Sequence, residues 1–390
     1  MLIKRDIEEE LCACANEYPV VTIFGPRQSG KTTLARMAFP DKQYFSLEDP
    51  DIRDHIAEDP RGFLENIPDG AILDEIQRLP DLLSYIQSFV DKDNRSGLFI
   101  IPGSHQPLLH QAVSQTLAGR TAILNLLPFS HAELGRLHKQ QDPFELCCTG
   151  AYPRLHDKHL KPDRFFAGYV QTYVERDVRA LINIKDIDRF QVFLRLLAGR
   201  IGQLVNYRAL SNDVGVSSTT IKNWLSVLKA SFVAFELPPY YENIRKRVTK
   251  SPKIFFCDVG LACYLLGIHN ANQLQRDPLR GGLYENLIIL EILKERLNHG
   301  LTPQINFYRD SNGHEVDLII RDGRSLHPIE IKSASTFTSS FITGIENFRK
   351  TVGQRCARGM VCYNGKEKTT FKNTDVFNPF IHDGFKFAVR

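Results

Sequence analysis

Val20-Val21-Thr22-Ile23-Phe24-Gly25-Pro26-Arg27-Gln28-Ser29-Gly30-Lys31-Thr32-Thr33-Leu34-Ala35-Arg36-Met37 sets the reading of the whole chain. Its first five residues are an apolar run with the character of a buried strand, and Thr33 to Met37 read as the opening of a helix. Between them, Gly25 to Thr32 form a complete phosphate-binding loop, placed as that pattern requires between a strand and a helix. The glycines let the backbone curl so that its N–H groups face phosphate oxygens. Lys31 is positioned to neutralise the β- and γ-phosphates, and Thr32 to hold Mg²⁺. The helix that follows aims its positive N-terminus at the same anion. Arg27, inside the loop, is a further phosphate contact. The expected ATP-binding set is therefore Gly25, Pro26, Arg27, Gln28, Ser29, Gly30, Lys31, Thr32 and Thr33.

From this anchor the α/β pattern extends in the C-terminal direction. Strands are expected at 19–24, 43–47, 70–74, 97–101 and 120–126, separated by helices at 31–38, 51–66, 80–91 and 105–115. Such alternation predicts a parallel sheet with helices on both faces. The strand Ala71-Ile72-Leu73-Asp74-Glu75 ends in two carboxylates. Asp74 suits support of Mg²⁺, and Glu75 suits orienting and polarising the attacking water. The strand 97–101 leads to Pro102-Gly103-Ser104-His105-Gln106, where an additional-strand ATPase carries a polar sensor of the γ-phosphate. Ser104 is the candidate, although the usual residue there is Asn. Arg120, in Leu117-Ala118-Gly119-Arg120, has two readings: a finger reaching a neighbouring subunit's nucleotide, or a structural ion pair.

A chain of 390 residues is long enough for two or three domains. With 43% hydrophobic and 24% charged residues it has the composition of an ordinary folded protein. A net charge of +4 does not diagnose nucleic-acid binding, so any basic surface must be local. The eight cysteines show no zinc-ligand spacing and read as reduced, mostly buried thiols. The acidic N-terminus lacks a secretory apolar core, and no apolar run is long enough to span a membrane. A soluble, cytoplasmic protein without a membrane partner is expected.

Residues 130–185 read as helical, with 163–183 amphipathic and rich in charge at Glu175, Arg176, Asp177 and Arg179. From 188 to 260 the rhythm changes. A short helix from Tyr207, a turn at Val214-Gly215-Val216, and a helix from Ser218 to Ala230 precede two apolar strands, Phe232–Leu237 and Lys253–Cys257. The connection between those strands carries Arg245, Lys246, Arg247 and Lys250. This is the pattern of a winged helix-turn-helix, which serves either DNA or a protein partner. Beyond it come a helix at 280–298, strands at 304–309, 315–321 and 325–331, a helix at 338–350 and a strand at 358–363. The expected domains are 1–185, 186–265 and 266–390.

The last region carries a second acidic constellation. Glu285 lies on the 280–298 helix, Asp317 on the second strand, and Glu330-Ile331-Lys332 ends the third. Two-residue alternation puts Glu330 and Lys332 on one face, and hairpin pairing would bring Asp317 near Glu330. This looks like the restriction-endonuclease arrangement, in which Asp and Glu bind Mg²⁺ or Mn²⁺ and the Lys stabilises activated water or phosphate charge. Glu285 fits as the additional helix-borne carboxylate. A Glu-x-Lys pair alone is more often a solvated strand edge or a salt bridge.

Several of these motifs together resemble the prokaryotic AAA-type ATPases that carry a C-terminal domain of long-unassigned function. They are the Gly-Pro-Arg-Gln-x-Gly-Lys-Thr-Thr loop at 25–33, Leu-Asp-Glu-Ile-Gln at 73–77, Gly103-Ser104, Leu117-Ala118-Gly119-Arg120, Gly-x-Tyr-Pro-Arg at 150–154, Tyr173-Val174-Glu175-Arg176-Asp177 and the acidic cluster. The resemblance spans nearly the whole chain. It implies an AAA-like P-loop ATPase domain, a winged helix and a C-terminal α/β restriction-endonuclease-like domain. Three functions follow as alternatives. One is an ATP-hydrolysing enzyme that governs metal-dependent DNA cleavage, with Lys332 assisting. The second is a nucleotide-dependent switch that binds a partner without cutting. The third, a small-molecule kinase, is disfavoured by the winged-helix pattern and the Asp-Glu pair. A homo-oligomer is expected if Arg120 acts on a neighbour.

Overall fold

The computed structural model describes residues 3–93, 95–104, 112–113, 115–137, 142–174, 187–241, 251–382 and 384–389. The chain divides into two compact units. The first comprises Met1–Phe129, Ala230–Phe232 and Leu297–Leu301; the second comprises Ser130–Lys229, Val233–Arg296 and Thr302–Arg390.

In the first unit the strand quoted above, β1 (Val20–Gly25), lies inside a five-stranded sheet with β2 (Gln43–Ser46), β3 (Ala71–Asp74), β4 (Phe99–Ser104) and β5 (Thr121–Asn125). The order is β2-β3-β4-β1-β5, and every pairing is parallel. A parallel sheet is covered on both faces, which explains why β1 is apolar almost throughout and wholly buried. Alternation divides its side chains between two cores. Val20 and Phe24 pack with Leu73, Phe99 and Ile101, whereas Val21 and Ile23 pack with Leu34, Ile72 and Ile100.

The covering helices include α1 (Glu8–Glu17), α2 (Lys31–Ala38), α3 (Pro50–Glu58), α4 (Pro60–Glu65) and α5 (Leu82–Val90). The single helix expected at 51–66 is two helices. Asp59 ends α3 and caps α4, its carboxylate accepting the Gly62 N–H at 3.0 Å, and Pro60 takes the first helical position. Proline cannot donate within a continuous helix but is well suited to start one. Most of the helix expected at 105–115 lies outside the described residues, as do His105 and Gln106.

The second unit begins with short helices at His131–Gly135, Pro143–Thr149, Pro153–Asp157 and Pro162–Tyr169. The helix expected at 163–183 loosens into a wider turn over Val170–Val174, and Glu175, Arg176, Asp177 and Arg179 lie outside the described residues. The Gly-x-Tyr-Pro-Arg stretch has a packing explanation. A Cβ on Gly260 would meet the Gly150 nitrogen at 2.7 Å, so two backbones cross in contact. Buried Asp258 accepts the Ala151 N–H at 2.8 Å across the same crossing.

Helices Ile187–Ala198, Tyr207–Val214 and Ser218–Ala230 follow, with Trp224 wedged against Phe190 and Phe193. Asn206 caps the second helix and Gly215, at φ 74°, ends it. Next, β6 (Ala234–Leu237) pairs antiparallel with β7 (Lys253–Phe256). The basic connection with Arg245, Lys246, Arg247 and Lys250 lies outside the described residues.

The helix Arg280–Asn298 then leads to a mixed six-stranded sheet in the order β12-β13-β11-β10-β9-β8. Its strands are β8 (Ile305–Arg309), β9 (Glu315–Asp322), β10 (Ser325–Lys332), β11 (Gly359–Tyr363), β12 (Thr369–Phe371) and β13 (Thr374–Phe377). β8, β9 and β10 form an antiparallel meander, whereas β10, β11 and β13 run parallel. The short β12 and β13 are additional to the expected strands. The helix expected at 338–350 is realised as Thr343–Val352. Among the described residues no helix is long and apolar enough to cross a membrane.

Candidate functional site

The strand order brings the C-terminal ends of β1, β3 and β4 to one edge of the first sheet, where ligands bind open α/β folds. The phosphate-binding loop leaves β1 there. Gln28 and Gly30 take left-handed backbone angles, φ 63° and 91°. Gly25 tolerates no side chain, because a Cβ would meet the Leu126 carbonyl oxygen at 2.1 Å. The loop is also held from behind. Buried Arg5 donates to the Ser29 carbonyl at 2.8 Å and to the Leu127 carbonyl at 2.7 Å, with its guanidinium 5.0 Å from the Phe129 ring centre.

Lys31 is the first residue of α2 and is buried. Its ammonium donates to the carbonyls of Gly25 at 3.1 Å and Pro26 at 2.8 Å. Burial depresses its pKa to about 8; Glu75 and Asp74 pull it back up, and Arg27 pushes it down. The next side chain, Thr32, donates its hydroxyl to Asp74 Oδ2 at 2.8 Å. Tyr44, on β2, donates to the same oxygen at 3.0 Å, and the Glu75 N–H reaches Asp74 Oδ1 at 3.1 Å. Burial raises the Asp74 pKa, and the hydroxyl donors Thr32 and Tyr44 work against that rise.

Glu75 has a left-handed backbone, φ 56°. A non-glycine residue in that region stores strain, and such residues cluster at working sites. Its N–H also bonds the Pro102 carbonyl at 3.2 Å, tying the end of β3 to β4. Gln77 donates to its carboxylate. Burial raises the Glu75 pKa, and neighbouring Asp74 raises it further.

The structure thus brings together the loop Gly25 to Thr33, Lys31, Thr32, Asp74 and Glu75. Ser104 ends β4 with its Cα opposite that of Gly25, so its backbone belongs to the same edge. Arg120 lies at the other end of the sheet. It precedes β5 and its carbonyl accepts the Val20 N–H, about 17 Å along β1 from Gly25. There its guanidinium clasps Asp91, at 2.5 and 2.9 Å. Tyr44 and Arg5 escape the sequence reading, because neither belongs to a motif and both reach the site from remote positions in the chain.

The second constellation forms where β9 and β10 pair. The register sets Leu318 opposite Ile329, so Asp317 and Glu330 come next to each other. The Ile331 N–H donates to Asp317 Oδ2 at 2.8 Å. Lys332 Nζ bridges Asp317 Oδ2 at 2.8 Å and Glu330 Oε2 at 2.5 Å. Glu285 instead receives Lys253 Nζ at 3.0 Å, and Lys253 also reaches Glu315 Oε1 at 2.6 Å. Neither Lys253 nor Glu315 is among the sequence candidates. A lysine opening the buried strand Lys253-Ile254-Phe255-Phe256 is the available signal, since a buried ammonium needs a partner.

Electrostatics divide three of the carboxylates, Glu285, Glu330 and Asp317. Burial raises the Glu285 pKa to about 7, against the pull of Lys253. Burial, reinforced by Asp317, raises that of Glu330 well above the ordinary range. Burial also works to raise Asp317, but Lys332 and Lys253 outweigh it and hold the pKa low.

The two sites differ in their fit to a divalent cation. Thr32 and Asp74 present adjacent hard oxygens beside the phosphate loop, the few protein ligands that Mg²⁺ takes when a triphosphate supplies others. In the second constellation the carboxylates face ammonium groups. Among the described residues no three His, Cys, Asp or Glu side chains are grouped to hold a metal ion. The residues present there do not fit the metal that the restriction-endonuclease pattern implies.

An "AAA domain" family model matches residues 17–135, and models described as domains of unknown function, DUF8612 and DUF4143, match 140–272 and 280–380. The uncharacterized protein Rv2008c of Mycobacterium tuberculosis is 30% identical over 387 residues, covering 97% of this chain and 84% of that one. An uncharacterized protein of Haemophilus influenzae is 24% identical over 314 residues, covering 70% and 74%. Among solved structures, the Walker-type ATPase PABY2304 of Pyrococcus abyssi is 15% identical with a TM-score of 0.43, covering 67% of this chain and 94% of that one. The chain belongs to the Rv2008c family of prokaryotic proteins, in which an AAA-type P-loop ATPase domain precedes a DUF4143 domain.

Proposed function

We propose that the protein hydrolyses ATP at the Gly25–Thr33 loop and that nucleotide state governs what its C-terminal region binds. The observation that carries the first part is the Thr32–Asp74 contact, which sets two Mg²⁺-type ligands beside Lys31 and Glu75 at one sheet edge. Backbone N–H groups of the loop and the start of α2 would receive the phosphates. Lys31 would exchange its two carbonyl partners for β- and γ-oxygens, which match its charge better. Mg²⁺, held by Thr32 and by Asp74 directly or through water, would neutralise charge on those oxygens. Glu75 would orient the attacking water and accept its proton. Its raised pKa brings the carboxylate closer to the ideal for a base at neutral pH. Ser104 would sense the γ-phosphate, and Arg120, at the far edge, would act only on a neighbouring copy's nucleotide. The test is steady-state ATP hydrolysis and nucleotide binding by wild type, Lys31→Ala and Glu75→Gln. ATP affinity left unchanged by Lys31→Ala would overturn the assignment.

Two readings of the C-terminal region differ in outcome. In one, the 207–257 region contacts DNA as a winged helix and Glu285, Asp317, Glu330 and Lys332 cut it with Mg²⁺ or Mn²⁺; that reading rests on the residue pattern. In the other, the region is a switch that engages a partner without cutting. The direct pairing of Lys253, a lysine that the nuclease pattern does not call for, with Glu285 and Glu315 favours the switch. Incubating linear and circular DNA with Mg²⁺ or Mn²⁺, with and without ATP, separates them. Metal-dependent cutting that disappears in Asp317→Ala would establish the nuclease and refute the switch.

A further inference from the structure

We infer that Lys253 is the resident cation of the C-terminal carboxylate cluster, holding beside Glu285, Glu315 and Asp317 the place a divalent ion would otherwise take. This rests on the non-cleaving reading above. The cluster contains four carboxylates, Glu285, Glu315, Asp317 and Glu330, and two ammoniums, Lys253 and Lys332, in direct contact with them. Buried charges persist only when matched, and a group of carboxylates without internal cations would collect cations from solution. Lys253 is the more deeply buried of the two lysines, its side chain 5% exposed against 30% for Lys332.

The fold delivers this ammonium rigidly. Lys253 opens β7, where it pairs with Leu237 of β6, and the next carbonyl, that of Ile254, accepts the Gly202 N–H at 2.9 Å. Three residues on, Asn286 clamps β7, its side chain receiving the Phe256 N–H at 2.7 Å and donating to the Phe256 carbonyl at 2.9 Å. That clamp sets the neighbouring Glu285 against Lys253. Backbone closes the cluster on two sides. A Cβ on Gly344 would meet Glu330 Oε1 at 2.2 Å, and one on Gly202 would meet Glu285 Oε2 at 3.3 Å. A six-coordinate hydrated cation has to enter against two fixed positive charges and two backbone walls.

The experiment titrates Mn²⁺, read by the loss of its free electron-paramagnetic-resonance signal, into the nucleotide-free full chain. Wild type, Lys253→Met, Lys253→Arg and the double variant Lys253→Met/Asp317→Ala are compared, with thermal unfolding followed with and without Mn²⁺. Lys253→Met is expected to bind one Mn²⁺ about tenfold tighter than wild type or better, and to melt higher in its presence. The gain should vanish in the double variant and be absent in Lys253→Arg, which keeps the charge. If Lys253→Met does not fold, Lys253→Gln, which keeps a polar side chain, takes its place. Mn²⁺ affinity unchanged by either neutral substitution, or a gain that survives loss of Asp317, overturns the inference. DNA cutting by wild type would sink the non-cleaving reading by itself, while the Mn²⁺ comparison would still judge Lys253.

Discussion

Each unit gathers lysine and carboxylates at strand ends, and the two differ in what the lysine touches. In the first unit Lys31 bonds two neutral carbonyls, while Asp74 is held by hydroxyls and a backbone N–H. In the second, Lys253 and Lys332 bond carboxylates directly. The pKa directions follow. Lys31, desolvated without a contacting anion, is lowered to about 8, whereas the two cluster lysines are raised. A cation bonded to carbonyls is available to an anionic ligand that offers more. A cation bonded to carboxylates has already received its anion. The same residue types thus make a phosphate receptor in one unit and a self-neutralised cluster in the other.

The sharpest way to break that contrast is Lys31→Ala. If Lys31 supplies the charge for the triphosphate, ATP affinity should fall about 100-fold or more, as read by calorimetry or a fluorescent nucleotide. Glu75→Gln should retain ATP but slow its hydrolysis by about 100-fold or more, the scale of a positioned general base. Wild-type turnover by that variant would remove Glu75 from the role.

The contrast also predicts opposite responses to pH. Lys31 titrates near 8 without ligand, so bound phosphate must restore its proton above that pH. Apparent ATP affinity should be flat below pH 8 and fall by about tenfold for each unit above it, with proton uptake visible in buffers of different ionisation heat. In the second unit Glu285 has a folded pKa of about 7 against an ordinary 4.5. A carboxyl raised by folding stabilises the native state below its unfolded pKa, and that contribution is lost as pH rises through the folded one. Relative to Glu285→Gln, wild type should therefore lose a few kcal/mol, about 3 at most, between pH 4.5 and 7, and nothing more above pH 7. Urea unfolding at stepped pH reads it. A constant difference across that window would show that Glu285 does not titrate alone.

The smallest effect is expected at Tyr44. Tyr44→Phe removes one of two hydroxyl donors from Asp74 Oδ2, a loss of about 1 kcal/mol or some fivefold. It should appear in the Mg²⁺ concentration needed for half-maximal ATP hydrolysis, with Mg²⁺-free nucleotide binding unchanged. A fall in stability without a change in Mg²⁺ requirement would make Tyr44 merely structural.

Much of this architecture is legible in the order of residues along the chain. The loop at 25–33 announces itself because its chemistry is local: glycine turns, lysine and threonine act through consecutive backbone atoms. Asp74 and Glu75 are legible because an apolar run ends at them, and the sheet carries such ends to one edge. Two-residue alternation similarly anticipates Glu330 and Lys332 on one face and Asp317 opposite. The division of the 51–66 helix is harder to read even though Pro60 stands in the middle of it, since the apolar pattern continues on both sides.

Sequence alone determined where the phosphate loop, its strand and its helix lie, because neighbouring residues along the chain decide backbone conformation and alternation. Tertiary structure decided which charges meet. Arg5 reaches the loop across 24 positions, Tyr44 reaches Asp74 across 30, and Lys253 reaches Glu285 across 32. Coulomb energy and desolvation depend on distance and burial in space, which no local spacing encodes. For that reason the carboxylates that read as metal ligands are held in the fold by lysines.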